Sequence, residues 1–251
     1  MTIMNVYVSP ERALIGTDTK AVSIGGQVVE ASKAFPIAHA NTVIVATGIL
    51  VFAQLLYLRV QEGLSAAGGF DEIAAAMPEA LEVTMEAVLQ RGSREPEMID
   101  AFKRRLDRQN VCCVGWSESR QQFQGYLFSN ADSSQGWKLE EVDLYYVAMH
   151  PFHSSLMPLM QEFADNGGAE DLIRLSRAQA AMGSEAFPEV ANLDSYGEET
   201  PCGGRLVSIE VTPHRMVIDS SVRLGPVTDI VPPDAPSRSA DLCAPMPYTE
   251  A

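Results

Sequence analysis

Cys202 follows Pro201 and has Glu199 and His214 near it in sequence, so a thiol, a carboxylate and an imidazole are available to one region of the chain. A nearby base that lowers the thiol pKa would turn such a group into a nucleophile. The same cysteine, set beside Gly203-Gly204, also reads as a small side chain packed against a glycine turn. His150 and His153 stand at a spacing used by metal ligands, but Pro151 lies between them and no carboxylate or cysteine pattern completes a set. No metal and no other cofactor is expected. Cys112, Cys113, Cys202 and Cys243 show no C-x-x-C spacing, and adjacent Cys112 and Cys113 would point to opposite faces of a strand. Neither a disulfide framework nor a zinc site follows from them. The pairs Gly25-Gly26 and Gly68-Gly69 are not phosphate loops, since no Lys-Ser/Thr follows either.

The chain that carries these groups has 251 residues, 46% hydrophobic and 20% charged, a composition suited to one large core. Its formal charge of −15 argues against nucleic acid, whose phosphates require clustered Lys and Arg, and against an anionic membrane surface. The most apolar stretch, Asn41 to Leu58, contains Thr42, Thr47, Gly48 and Gln54, and reads as strand, turn and helix rather than a membrane span. The N-terminus has no basic segment followed by an apolar one, so a cytoplasmic location is expected.

The elements that must position these groups follow from periodicity. Met4 to Val8 alternates, Ser9-Pro10-Glu11-Arg12 turns, and Ala13 to Thr17 returns as a hairpin. Gly25-Gly26 marks a turn before a short strand over Gln27 to Ala31. Thr42 to Ala46 is β-branched and apolar enough to be buried on both faces. A helix is expected from Gly48, with Val51, Leu55, Leu58 and Glu62 at helical spacing, ending at Gly63. A second helix is expected over Phe70 to Gln90, with Ile73, Met77, Leu81, Met85, Val88 and Leu89 on one side. Its Pro78 calls for a kink or a nearby helix start. A polar helix over Ser93 to Arg108 precedes a hairpin of Val111 to Trp116 and Phe123 to Phe128, and Val142 to Met149 is a further strand. Two helices, Ser154 to Ala164 and Ala169 to Met182, are split by Asn166-Gly167-Gly168, and a last hairpin joins Arg205 to Thr212 with Arg215 to Val222. The body is expected over residues 1–225, with a Pro-rich, extended or disordered tail over residues 226–251. Separate blocks of strands and helices suggest antiparallel sheets with helices outside them, an α+β protein; a four-layer αββα sandwich fits the count, as other α+β folds do.

Five stretches in order resemble the proteasome β-subunit and its bacterial relatives, a branch of the N-terminal-nucleophile (Ntn) hydrolases. Ala13-Leu-Ile-Gly-Thr-Asp-Thr-Lys20 looks like the family's strand running into Ala-Asp-Ser-Arg, and Ser32-Lys-Ala-Phe-Pro-Ile37 like its Lys-Ile-Phe-Pro-Ile. Val43-Ile-Val-Ala-Thr-Gly48 resembles the strand and glycine before its first helix. Val111-Cys-Cys-Val-Gly-Trp116 with Tyr126-Leu-Phe128 is similar to its central hairpin, and Cys202-Gly203-Gly204 to its Ser-Gly-Gly. The resemblance runs from Met1 to about Gly225 and implies the αββα Ntn-hydrolase sandwich.

It also implies a site. With Met1 removed, Thr2 becomes the N-terminus, and Asp18 and Lys33 fall close to the family's spacing of nucleophile, Asp and Lys. A Thr hydroxyl is a weak nucleophile that a free α-amine on the same residue can activate, and that amine titrates near pH ~7.7–8.0. Lys33 would keep the local potential positive, Asp18 would anchor Lys33, and the N–H of Gly48 at a helix start would stabilise an oxyanion. Translation from Met4 would delete Thr2, and Thr17 behind Gly16 is a rival processing point that leaves Lys33 at the wrong spacing.

Departures accompany the matches. His150-Pro151-Phe152 replaces the family's Gly-Ser-Gly, so its auxiliary serine is missing. Glu199-Thr200-Pro201-Cys202 stands for Asp-x-x-Ser and keeps the charge without the hydroxyl. The start is Thr2-Ile3-Met4 rather than three threonines. The function implied is a threonine-type peptidase assembled as a ring-like homo-oligomer and acting on peptide. The alternatives are a catalytically inactive Ntn-fold assembly or binding protein, and a hydrolase of small amides such as acylated amino acids. Apolar Leu55, Leu58, Met77 and Met85 add to the expectation of assembly.

Overall fold

Strand alternation decides the layering in the computed structural model, which describes residues 2–22, 28–63, 68–92, 109–130, 136–142, 144–148, 154–185 and 202–224. In chain order come β1 (Met4–Val8), β2 (Ala13–Asp18), β3 (Lys20–Val22), β4 (Val28–Glu30), β5 (Ala34–Ile37) and β6 (Thr42–Thr47). Helices α1 (Leu50–Gly63) and α2 (Phe70–Gly92) follow, then β7 (Asn110–Ser117), β8 (Gln122–Ser129), β9 (Lys138–Glu141) and β10 (Tyr145–Ala148). Helices α3 (Met157–Asn166) and α4 (Ala169–Glu185) precede β11 (Leu206–Thr212) and β12 (Arg215–Asp219).

Two five-stranded antiparallel sheets result, ordered β10-β1-β2-β11-β12 and β5-β6-β7-β8-β9, with β3 and β4 a separate small hairpin. Period-two side chains send Met4, Val6, Val8, Ala13, Ile15, Val43, Val45, Cys112, Val114, Val207, Ile209 and Val211 into one core between the sheets. The alternate residues face outward. Ile44, Ala46, Val111 and Cys113 pack under α1 and α2 with Phe52, Leu56, Ile73, Met77 and Leu81. Ile3, Leu14 and Leu206 pack under α3 and α4 with Phe163, Leu172 and Leu175. Three apolar interfaces separate four layers, so the fold is the αββα sandwich. Cys112 and Cys113 do point to opposite faces of β7.

Several boundaries depart from the sequence expectation. The buried stripe of α1 is Phe52, Ala53, Leu56 and Val60, while Val51 is 39% and Leu58 53% exposed. Of the four apolar residues expected to exceed the needs of one sheet layer, Met77 is fully buried and Leu55 and Met85 pack on the core. Leu58 alone of the four is exposed. Helix α2 runs through Pro78. That proline is exposed, so the Ala74 carbonyl it leaves without a donor lies where water reaches. Leu89, expected on the buried side, is at the exposed margin.

The expected strand over Val142 to Met149 is present as the shorter β10, Tyr145–Ala148, and an unexpected strand, β9, precedes it in the other sheet. Strand β9 pairs with β8 and β10 with β1, and the chain crosses between sheets through Val142 N–H to Gly125 O and Val8 N–H to Leu144 O, both 2.8 Å. Lys-Leu-Glu-Glu lacks apolar alternation because all four residues of this edge strand are exposed. The expected strand around Val28 is present, with β3 as its unexpected partner. The turn at Gly25-Gly26, the helix over Ser93 to Arg108, the His150 and His153 pair and the tail over residues 226–251 lie outside the described residues.

Candidate active site

Strands β1 and β2 end their pairing at Met4 and Thr17, which leaves Ile3 beside Asp18. The Ile3 N–H donates to Asp18 Oδ1 at 2.9 Å. Lys33 arrives from the opposite sheet. Its carbonyl accepts the Ala46 N–H at 3.1 Å, which continues the β5–β6 ladder one step and anchors the lysine backbone at the sheet end. Its ammonium donates to the same Asp18 Oδ1 at 2.8 Å. The second oxygen, Oδ2, accepts the Gly203 N–H at 3.1 Å. Asp18 is fully buried and Lys33 is 5% exposed, so the pair spans both sheets with water nearly excluded. Two charges so placed persist only when each is matched and the remaining lone pairs are satisfied, and three donors on one carboxylate do that.

The third donor depends on a glycine turn. Gly203 and Gly204 have φ of 146° and 75°, in the region that side chains other than glycine avoid. A Cβ on Gly204 would come 2.6 Å from Thr19 Oγ1. Thr19 ties this turn to β2: its N–H donates to Arg205 O at 2.9 Å and its Oγ1 accepts the Arg205 N–H at 2.8 Å. Lys20 N–H adds a bond to Gly203 O at 3.1 Å.

Cys202 is buried, with Sγ 3.9 Å from Gln179 O. Burial pushes its thiol up to about 11, with Asp18 acting in the same sense and Lys33 and Lys20 opposing. Leu206 pairs with Asp18 at the site end of β11, and His214 lies in the turn beyond Thr212 at the far end. Seven strand residues at about 3.3 Å each separate the thiol from that imidazole. The structure therefore does not bring Cys202 and His214 together. Glu199 lies outside the described residues. Thr17 is buried in mid-sheet between Met4 and Val207, where no chain end could form without removing β1. Thr2 is partly exposed and immediately precedes the Ile3 N–H held by Asp18.

Gly48 links β6 to α1 with φ of 103°. A Cβ there would come within 2.3 Å of both amide atoms of Gln109, a fully buried side chain whose Oε1 accepts the Ile49 N–H at 2.8 Å. Gln109 is held in turn by Asn130, which accepts its N–H on Oδ1 at 2.7 Å and donates its own N–H to Gln109 O at 3.2 Å. Neither residue figures among the sequence candidates. The available signal is two consecutive amides, Gln109-Asn110, placed directly before the apolar run of β7.

Behind the site, Asn5 is fully buried on β1. Its Nδ2 donates to Gln179 Oε1 at 2.7 Å and to Ser176 Oγ at 3.1 Å, and Gln179 Nε2 returns a bond to Asn5 Oδ1 at 3.0 Å. This pins the first strand to α4. Among the described residues no helix is long and apolar enough to cross a membrane.

The chain matches no protein-family model and no curated protein sequence. Among solved structures it is similar to the Anbu (Gly-1) mutant from Hyphomicrobium sp. strain MC1, with a TM-score of 0.51 and 13% identity over 88% of each chain. Anbu is a bacterial relative of the proteasome with the Ntn-hydrolase architecture. The fold of this chain is the Ntn-hydrolase sandwich. At 13% identity the likeness is one of fold, and the chemistry has to be argued from the residues of this chain.

Proposed function

We propose that this chain is a threonine-type Ntn amide hydrolase that cleaves peptide bonds, with Thr2 as nucleophile once Met1 has been removed. The observation that carries the proposal is the convergence of Lys33 Nζ and the Ile3 N–H on one oxygen of buried Asp18. It sets a fixed ammonium beside the residue that follows Thr2. The Thr2 Oγ attacks the carbonyl carbon while its proton passes to the Thr2 α-amine. The C–N bond then breaks, the leaving amine takes that proton, and water hydrolyses the acyl ester. Lys33 favours the neutral amine and an oxygen with anionic character, and Asp18 keeps Lys33 in place. The Gly48 N–H, at the start of α1, stabilises the oxyanion. Glu199 and Cys202 occupy the positions at which the family has an Asp and a Ser.

The experiment is intact mass of the mature chain, followed by labelling with a peptide electrophile that captures an N-terminal Thr. The expected result is loss of Met1 and one adduct mapped to Thr2. Retention of Met1 on the purified chain overturns the proposal, because Thr2 then has no free amine.

A second reading, a catalytically inactive Ntn-fold assembly or binding protein, is favoured by Cys202. Its buried thiol is turned toward Gln179 O, where the family's hydroxyl would serve the nucleophile. Full retention of Met1 together with a large assembly would support it. Assembly belongs to both readings, and exposed Val51 and Leu58 on α1 supply apolar surface for a neighbouring copy. Light scattering should give a multiple of 27.2 kDa at micromolar concentration, and the mass of a single chain would refute assembly.

A further inference from the structure

Helix α1 begins without a cap of its own. Gly48, Ile49 and Leu50 offer no side-chain acceptor for the first N–H groups, where Ser, Thr, Asp or Asn is usual. Thr47, the nearest hydroxyl, is engaged by Asn110 Nδ2 at 3.3 Å. The acceptor comes from across the sheet: Gln109 Oε1 takes the Ile49 N–H at 2.8 Å. The amide also rests on Gly48 so closely that any Cβ would occupy its place. Two consecutive residues of the β7 entry therefore clasp the three-residue turn Thr47-Gly48-Ile49, and Asn130 fixes Gln109 through two further bonds. A turn at φ of 103° rotates readily unless both flanks are held, and the direction of the Gly48 N–H is set by that rotation.

We propose that Gln109 is a positioning residue for the Thr2 reaction: a side chain that does not touch substrate but sets the turn whose N–H takes the oxyanion. This inference rests on the Thr2 reading above. Oxyanion stabilisation is strongly geometric, since misplacing a reacting group by about 1 Å can lower a rate about 10²-fold. Gln109 supplies that geometry from the position directly before β7, a strand that contributes none of Thr2, Asp18, Lys33 or Gly48.

Two electrophiles separate positioning from simple structural support. A peptide β-lactone acylates Thr2 through a tetrahedral oxyanion: Oγ bonds to the carbonyl carbon, the ring C–O bond breaks, and the Oγ proton ends on the ring oxygen by way of the α-amine. A peptide vinyl sulfone is attacked at its β-carbon, and the proton ends on the carbon next to sulfur, with no carbonyl oxyanion. In Gln109→Leu, kinact for the β-lactone should fall about 10²-fold while KI stays within about threefold, and vinyl sulfone addition should change less than about threefold. Gln109→Glu keeps the shape and the acceptor for Ile49, and it serves as the second variant should Gln109→Leu fail to fold. Its charge beside the turn opposes an oxyanion, and it should slow the β-lactone alone by at least about tenfold.

Equal slowing of both electrophiles would show that Gln109 only supports the fold, and no slowing of either would show that it has no role. Either result overturns the inference while leaving Thr2 as the nucleophile. Failure of wild-type Thr2 to react with either electrophile overturns the Thr2 reading, and the role of Gln109 with it.

Discussion

Asp18 and Lys33 belong to different sheets and meet at 2.8 Å in a place where neither sheet alone could hide a charge. Asp18 sits where β2 leaves one sheet, and Lys33 sits where the chain enters the other. Their ion pair closes one end of the inter-sheet core, and the backbone of Ile3 and the Gly203 turn are fastened to the same carboxylate.

Removing one member of this pair should cost far more than removing both. Asp18→Ala strands a nearly buried ammonium and two backbone N–H groups, and should destabilise by about 3–5 kcal/mol. The double variant Asp18→Leu with Lys33→Met should recover a clear part of that loss, because no unmatched charge remains. Denaturant unfolding of the set measures both numbers. A loss under about 1 kcal/mol in Asp18→Ala would mean that water reaches the pair after all.

Catalysis and stability should separate at Thr2 but not at Lys33, whose loss leaves the buried Asp18 carboxylate without its counter-charge. On the hydrolase reading, Thr2→Ala and Lys33→Ala each abolish labelling by Thr-capturing electrophiles. The double variant should be no worse than either single one, since the groups act as a unit. Thr2→Ala should leave unfolding unchanged, because Thr2 is partly exposed and outside all three apolar cores. Labelling that persists in Lys33→Ala would remove the lysine from the mechanism.

Asn5 and Gln179 exchange two amide hydrogen bonds in a fully buried setting. Either alanine variant leaves the partner amide unsatisfied and should cost about 1–3 kcal/mol. A double-mutant cycle should return a coupling of about 0.5–3 kcal/mol. Additivity within about 0.3 kcal/mol would mean that the two amides are each satisfied independently.

Gly48→Ala should be destabilising for two separable reasons. A positive φ costs a residue with a Cβ about 1–3 kcal/mol, and the new methyl strikes the Gln109 amide. Adding Gln109→Ala to Gly48→Ala should relieve the second part and leave the first. If thermal unfolding shows no relief in the double variant, the close packing of Gln109 on Gly48 is wrong.

High pH should unfold this chain earlier than its acidic composition suggests. Burial raises Cys112 to about 12, pushes Cys113 further in the same direction, and raises Cys202 to about 11. A raised acid pKa means that the folded state keeps a proton the unfolded chain releases. Stability is therefore intact below the ordinary thiol range near ~8.5 and falls as pH rises from there toward the folded values, by up to about 1.4 kcal/mol per pH unit for each thiol. Guanidinium melts between pH 7 and 10.5 test this, and Cys112→Ala should flatten the decline. Native alkylation at pH 8 should be slow at all three thiols. Fast reaction of Cys202 would show a solvated thiolate there.

What the sequence determined by itself was most of the strands, most helices and an α+β class that admits the four-layer arrangement among others. Those follow from local period, and an apolar alternation such as Met4, Val6, Val8 has one way to bury itself. The positions Thr2, Asp18, Lys33 and Gly48 could be marked because their spacing resembles a family pattern. The strand β9 was illegible, because an edge strand exposed on both faces needs no alternation. The true stripe of α1 was hidden as well, since Val51, Phe52, Leu55 and Leu58 are all apolar and only the docking angle on the sheet selects among them. Tertiary structure alone separated Cys202 from His214, because their distance depends on the length and direction of β11 rather than on their nearness in sequence. It alone brought Gln109 to Gly48, because that contact crosses from the residue before β7 to the turn after β6, and two consecutive amides in the sequence do not say which turn they reach. Local chemistry is written along the chain, whereas the meeting of groups from neighbouring strands is decided by register.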